Sequence, residues 1–348
     1  MPGGHINWID QARGVSLILI VMAGAALSYA GLGASSGWMG PLLAWAEPLA
    51  LPAFFLISGL TLPRILFAPR SVFFDRKVLH FVYFYAIWLV IDTAIARPAL
   101  AVQAPGEFVR ACLMGWIVPP PGLWLVHGLA LFHLAARLTR FAAPGKVFGL
   151  AALLQVLQAA GLMHTGWPVF DHFAQYYVFF FSGYAFAPVL FELAGTVAAN
   201  RGNFLRALAV WAAAQTGFVA LGADSFPVVS LILGFTGAFA LIVAAVLCRD
   251  LPLMDRLAET GRNALPLYLG AIVPMTLLQV AFAASGLFDP GTSVLLIAAG
   301  SVAGSLALHH LLKATPLALL YVRPARLHLK AARERRGGSL LPAPMKNA

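Results

Sequence analysis

Ten apolar runs of membrane-spanning length punctuate the chain, and no soluble fold accommodates so many. A helix needs about 20 apolar residues at ~1.5 Å rise to cross a ~30 Å hydrocarbon core. Runs of that order lie at Val15–Leu32, Leu42–Leu62, Val78–Ala96, Gly122–Leu138 and Val147–Met163. Five more follow at Tyr176–Leu193, Leu205–Leu221, Pro227–Cys248, Ala264–Ala284 and Thr292–Leu312. The apolar fragment Phe108–Val118 is too short to span and is stopped by Pro119, Pro120 and Pro121, so it reads as a re-entrant or interfacial piece. Composition agrees: 61% of the 348 residues are hydrophobic and 10% charged, against about 25% charged in soluble domains. The sequence therefore predicts an all-α, polytopic membrane protein with about ten transmembrane helices.

The bases predict orientation. With the N-terminus in the cytoplasm, Arg13, Arg64, Arg70, Arg76, Lys77, Arg137, Arg140 and Lys146 fall inside. Arg201, Arg206, Arg249, Arg256, Arg262 and the segment from Lys313 to Lys346 join them, which leaves only Arg97 and Arg110 of 23 Lys plus Arg outside. The positive-inside rule then puts both termini in the cytoplasm and requires an even number of spans. The first run continues beyond a usual signal-peptide core and carries few charges before it, so it reads as a membrane helix and not a cleaved leader.

The isoelectric point of about 10.1 does not indicate nucleic acid, because the bases lie between apolar runs and form no basic face with interleaved aromatics. Cys112 and Cys248 stand far apart, in no metal-ligand or disulfide pattern. No metal is expected. Residues 1–315 read as one membrane domain. Residues 316–348, with Arg333, Arg335 and Arg336 followed by Gly and Pro, read as a basic, disordered cytoplasmic tail that touches anionic lipid.

Several motifs then take on meaning together. W-I-D-Q-A-R-G opens the first span at Trp8, and L-P-A-F-F-L-I-S-G covers Leu51–Gly59 in the second. D-R-K-V-L-H-F-V-Y-F-Y (Asp75–Tyr85), G-L-W-L (Gly122–Leu125), F-F-F-S-G-Y (Phe179–Tyr184) and G-R-N-A-L-P-L-Y-L (Gly261–Leu269) follow in order. In this order and frame the chain resembles the acyltransferase-3 family of bacterial integral membrane O-acyltransferases, from Trp8 to about Leu312. The resemblance implies an inner-membrane protein that moves an acyl group, often acetyl, from cytoplasmic acyl-CoA to a hydroxyl of a glycan or lipid-linked sugar.

The family signature is a base followed eleven positions on by a histidine. From Arg13 that position is Gly24, so the base is present and the imidazole is absent. Acylating a hydroxyl needs a base to take its proton, and losing a positioned one typically costs ~10²–10⁴-fold in rate. Gly24, Ala25 and Ala26 offer no such group and read as close helix packing by small residues. Ala50 and Ala53 flank Pro52 where relatives often carry polar residues, and Ala271 stands where many carry a second histidine. The pattern is that of a degenerate or repurposed member.

What remains polar divides into a donor set and a substitute base. Under the resemblance Arg13 binds the phosphates of coenzyme A with Asp10 orienting its guanidinium, or else it is an interfacial anchor. Arg76, Lys77 and His80 lie at the same inner face and either help hold the nucleotide or simply supply positive-inside charge. Arg262, with Asn263, either joins them or caps a helix. Ser58 either packs with Gly59 or offers its hydroxyl, and Trp124 floors a pocket or belongs to an aromatic belt. Asp92 lies inside the third run, where a carboxylate is expensive and usually partnered. His127 reaches a similar depth from the fourth, so the two are expected either to pair as a stand-in acid/base or to form a purely structural pair, unless Asp92 simply faces water. His133, His309 and His310 have no ligand spacing and read as core or interfacial residues. A non-catalytic relative working with envelope polysaccharide machinery, and a transporter with a polar path near Asp92, are the competing readings; no internal repeat supports the latter.

Overall fold

The computed structural model describes residues 7–329. Its order is α1 (Asn7–Ala30), α2 (Met39–Gly59), the single turns α3 (Pro63–Leu66) and α4 (Arg70–Phe73), and a π-helical turn over Phe74–Val78 that opens into α5 (Leu79–Ala96). Short helices α6 (Pro98–Gln103) and α7 (Pro105–Met114) lead to α8 (Trp124–Leu138), α9 (Pro144–Ala159), α10 (Pro168–Ala185), α11 (Ala187–Ala199) and α12 (Arg201–Ala220). Then come α13 (Pro227–Cys248), α14 (Pro252–Arg262), α15 (Ala264–Gly270), α16 (Ile272–Ser285) and α17 (Pro290–Leu312). Proline opens many of these, as at Pro105, Pro144, Pro168, Pro227, Pro252 and Pro290. In the first turn its missing N–H costs nothing and its fixed φ is already helical. No strand occurs among the described residues.

Each of the ten apolar runs falls on helix. Among the described residues six helices are long and apolar enough to cross a membrane, or seven if one bent pair counts as a span. The six are α1, α2, Arg70–Ala96, α13, Ala264–Ser285 and α17. The bent pair is α10 and α11, which meet at 72°, so the run Tyr176–Leu193 is not one straight rod. α8 and α9 are shorter, with 15 and 16 residues. α12 is long enough, but Arg201, Asn203, Arg206 and Gln215 lower its apolarity.

Two glycine crossings hold the centre together. A Cβ on Gly14 of α1 would run into the Leu257 carbonyl oxygen of α14, and one on Gly261 would run into the Asp10 carbonyl oxygen. A Cβ on Gly59 of α2 would strike the Phe180 carbonyl oxygen of α10, and one on Gly183 that of Leu56. These approaches explain the two Ser-Gly motifs at Ser58 and Ser182. Small residues let backbones touch where lipid provides no hydrophobic drive between helices. The serines satisfy themselves within their own helices, Ser58 Oγ donating to Phe54 O at 2.7 Å and Ser182 Oγ to Val178 O at 2.6 Å. Around these crossings Phe55, Phe132, Phe180 and Phe181 form an aromatic core.

The segment after α17 differs from the expected disordered tail as far as Leu329. It folds back over α5: Tyr83 OH donates to Leu319 O at 2.9 Å and Trp88 Nε1 to Leu320 O at 3.0 Å. Asp75, 1% exposed, then anchors its end. Arg323 Nη2 donates to Asp75 Oδ1 at 2.8 Å, His328 Nδ1 lies 2.8 Å from Oδ2, and the Leu329 N–H donates to Oδ1 at 3.0 Å. Hydrophobic composition alone does not reveal this strap because its hold is a buried ionic knot. Residues 330–348, including Arg333, Arg335 and Arg336, lie outside the described residues.

Candidate functional site

Two cavities lie along the helix bundle and share one wall. The first, called inner because it gathers bases read from the sequence as cytoplasmic, is about 340 Å³ and is lined by Arg13 of α1, Ser58 of α2, Lys77 and His80 at the start of α5, and Arg262 at the end of α14. Five residues singled out in the sequence from four separate stretches therefore meet. No Asp or Glu lines this space among the described residues. Three cationic side chains around one concave surface make a potential that concentrates anions. Asp10 is buried, its Oδ1 3.6 Å from the Arg13 guanidinium one turn on.

Local structure explains which of the neighbouring bases enter. The π-helical turn over Phe74–Val78 takes one more residue per turn than the helix that follows, a feature frequent at functional sites. Lys77 lines the cavity, whereas its neighbour Arg76 is exposed and does not. Arg76 is thus not brought to the donor set. The Gly14–Gly261 crossing packs α14 on α1, and Arg262 and Arg13, next to those glycines, both line the cavity.

The outer cavity, about 500 Å³, is lined by Gly24, Glu47, Ala50, Asp92, Trp124 and Ala271 among others. Gly24 is therefore not a close-packing glycine: a Cβ there meets only Met275 Cε, at 3.8 Å. The small-residue reading fails at this position because the neighbouring helices stand off to leave the cavity. Three positions where the resemblance implies polar groups, Gly24, Ala50 and Ala271, thus line one space, while Ala53 is fully buried in the core. Trp124 lines the same cavity, stacked on His172 with ring centroids 4.1 Å apart.

Asp92 and His127 do not pair. No hydrogen bond or ion pair joins them among the described residues, and the His127 ring lies against Tyr85 at 5.1 Å. Tyr85 sits on α5 two turns before Asp92, ~10 Å along the axis. Equal depth on two helices did not ensure equal height against each other. Asp92 instead faces space on two sides, lining the outer cavity and a further one of about 590 Å³.

Three residues of the site carry no signal in the sequence. Tyr268 lines both inner and outer cavities and so forms their shared wall. Glu47 brings a second carboxylate to the outer one. His133 lines the inner cavity, 2% exposed, with its ring between those of Phe81 and Phe180. Its Nδ1 donates to Leu129 O at 2.7 Å, which leaves Nε2 as the basic nitrogen, without a partner among the described residues. A lone histidine on an apolar helix has no spacing to distinguish it, so only the packing reveals it. Tyr268 belongs to a quoted motif, but nothing in that motif marks it as a partition.

No curated protein and no solved structure matches the chain significantly. The family described as an acyltransferase domain matches residues 6–310, from the N-terminal edge of α1 almost to the end of α17. That span takes in every helix contributing to the two cavities, and the chain belongs to the acyltransferase-3 family.

Proposed function

We propose that the protein is a cytoplasmic-membrane enzyme that transfers an acyl group, acetyl in the simplest case, from acyl-CoA to a hydroxyl of a glycan or lipid-linked sugar. The observation carrying this reading is the convergence of Arg13, Lys77 and Arg262 on one inner cavity that meets the outer one at Tyr268. The cationic end suits the phosphates of coenzyme A, since guanidinium and ammonium groups bind phosphate oxygens through charge-assisted hydrogen bonds. The pantetheine arm then runs past Tyr268, and the thioester lies in the outer cavity. About ten spans with both termini inside, as the distribution of bases supports, put the donor end in the cytoplasm.

In the outer cavity the acceptor hydroxyl attacks the thioester carbonyl while Asp92 takes its proton. The tetrahedral intermediate collapses, the carbon–sulfur bond breaks, and the departing thiolate takes up a proton to leave as coenzyme A. An ester remains on the acceptor. A carboxylate is a weaker base than imidazole near neutral pH, so turnover is slow beside that of a histidine-bearing relative. The test is transfer of radiolabelled acetyl from acetyl-CoA to envelope glycans in membranes of cells expressing the chain. Label in the glycan with wild type, and its loss in Arg13→Ala, are expected; equal labelling in both would refute the reading.

A second reading is favoured by Gly24, Ala50 and Ala271 lining the same cavity. In it the protein retains the donor cavity but has lost chemistry, and serves as a glycan-binding component of envelope machinery. Acetyl-CoA binding without label transfer, in wild type and in Asp92→Asn alike, would select it.

A further inference from the structure

The two bases that break the positive-inside pattern meet in one place. Arg97 ends α5 and Arg110 lies in α7, yet both line the cavity of about 590 Å³ whose deeper wall includes Asp92. The remaining bases of the folded domain lie in the segments read as cytoplasmic, and the connection from α5 to α7 packs Arg97 and Arg110 against one space. Glu107, the acidic residue at its rim, is 3.7 Å from Arg110 one turn on, with both side chains more than half exposed. Such an exposed pair is weak and readily exchanged for another anion. Arg97 has no carboxylate partner among the described residues. The cavity is therefore lined by two guanidinium groups and two carboxylates, Glu107 in its exposed pair with Arg110 and Asp92, which is shared with the outer cavity.

We propose that this cavity seats the acceptor and that the acceptor is an acidic saccharide, carrying carboxylate or phosphate groups. Arg97 and Arg110 hold the anionic oxygens through forked N–H donors, and the neighbouring sugar hydroxyl reaches Asp92. This inference rests on the acyl-transfer reading for what happens at Asp92, but the anion preference of the mouth stands on its own. Pro119, Pro120 and Pro121 line one wall and hold it without needing regular structure.

The test uses the full chain in phosphatidylcholine nanodiscs titrated with tetragalacturonate, a phosphorylated maltotetraose and neutral maltotetraose. Both acidic oligomers are expected to bind about 10-fold tighter than the neutral one, the effect of one well-placed charge-assisted contact, and to lose the advantage as salt rises. R97Q combined with R110Q removes the preference, and R97K with R110K restores only part of it, since lysine keeps the charge without the fork. Equal affinity for all three oligomers, or a preference that survives the glutamine variant, would overturn the proposal. Loss of oligomer binding when phosphatidylglycerol is added to the discs would overturn it too, since the seat would then belong to lipid headgroups. Acetyl-CoA affinity on the same discs is the separate readout: its absence in wild type would overturn the acyl-transfer reading and leave the anion preference standing.

Discussion

Gly14 and Gly261 bring α1 and α14 together so closely that neither position has room for a methyl group. Arg13 and Arg262, each adjacent in sequence to one of these glycines, both line the inner cavity, so backbone packing and the proposed donor site depend on the same pair. Gly14→Ala is expected to destabilise the protein by about 1–3 kcal/mol, as overpacking does where backbone must move, and to weaken acetyl-CoA binding. Gly24→Ala, which meets open space, is expected to do the reverse by up to about 1 kcal/mol, because alanine favours helix over glycine. Thermal unfolding in detergent compares the two; like effects in the same direction would count against the cavity at Gly24.

The ionic knot at Asp75 joins residues almost 250 positions apart in sequence. Arg323→Ala leaves its carboxylate buried with His328 and the Leu329 N–H as partners. Breaking such a pair from one side costs about 3 kcal/mol or more. The strap from Pro316 to Leu329 also carries Tyr321, which lines the inner cavity, so its release is expected to raise protease cleavage after α17 and to weaken donor binding together. Cleavage that rises with donor affinity unchanged would separate the strap from the site.

A base moved from one carboxylate to one imidazole can be followed directly. Asp92→Asn is expected to lower kcat for acetyl transfer by about 10²-fold or more, with the KM for acetyl-CoA little altered. Adding Gly24→His to that variant is expected to recover activity, since the new side chain enters open space in the same cavity. Steady-state transfer assays on the single and double variants measure this; a double variant as inactive as Asp92→Asn would place the reacting atoms elsewhere.

Much of the inner cavity was legible before any coordinates. Arg13, Ser58, Lys77, His80 and Arg262 all end or begin apolar runs on the basic side, and depth along a span can be counted from sequence. Rotation about a helix cannot. That is why Arg76 and Lys77 look alike until the π-helical turn separates them. Asp92 and His127 miss for another reason: His127 packs at Tyr85, ~10 Å along α5 from Asp92. His133 stayed hidden because one histidine among apolar residues has no period. The glycines show the same limit: Gly14 and Gly24 are alike in the chain, and only the partner helix decides which one packs and which faces a void. The knot at Asp75 is invisible because no motif or spacing in the sequence links Asp75 to Arg323 and His328 across so long a separation.

The central claim is that the inner cavity binds acyl-CoA through its cations, and equilibrium binding of radiolabelled acetyl-CoA to the purified chain tests it most directly. Wild type should bind saturably, Arg13→Ala and Lys77→Ala should each weaken binding about 10-fold or more, and Arg76→Ala, whose side chain lies outside the cavity, should match wild type. Binding that is absent in wild type, or equal across all four proteins, would contradict it.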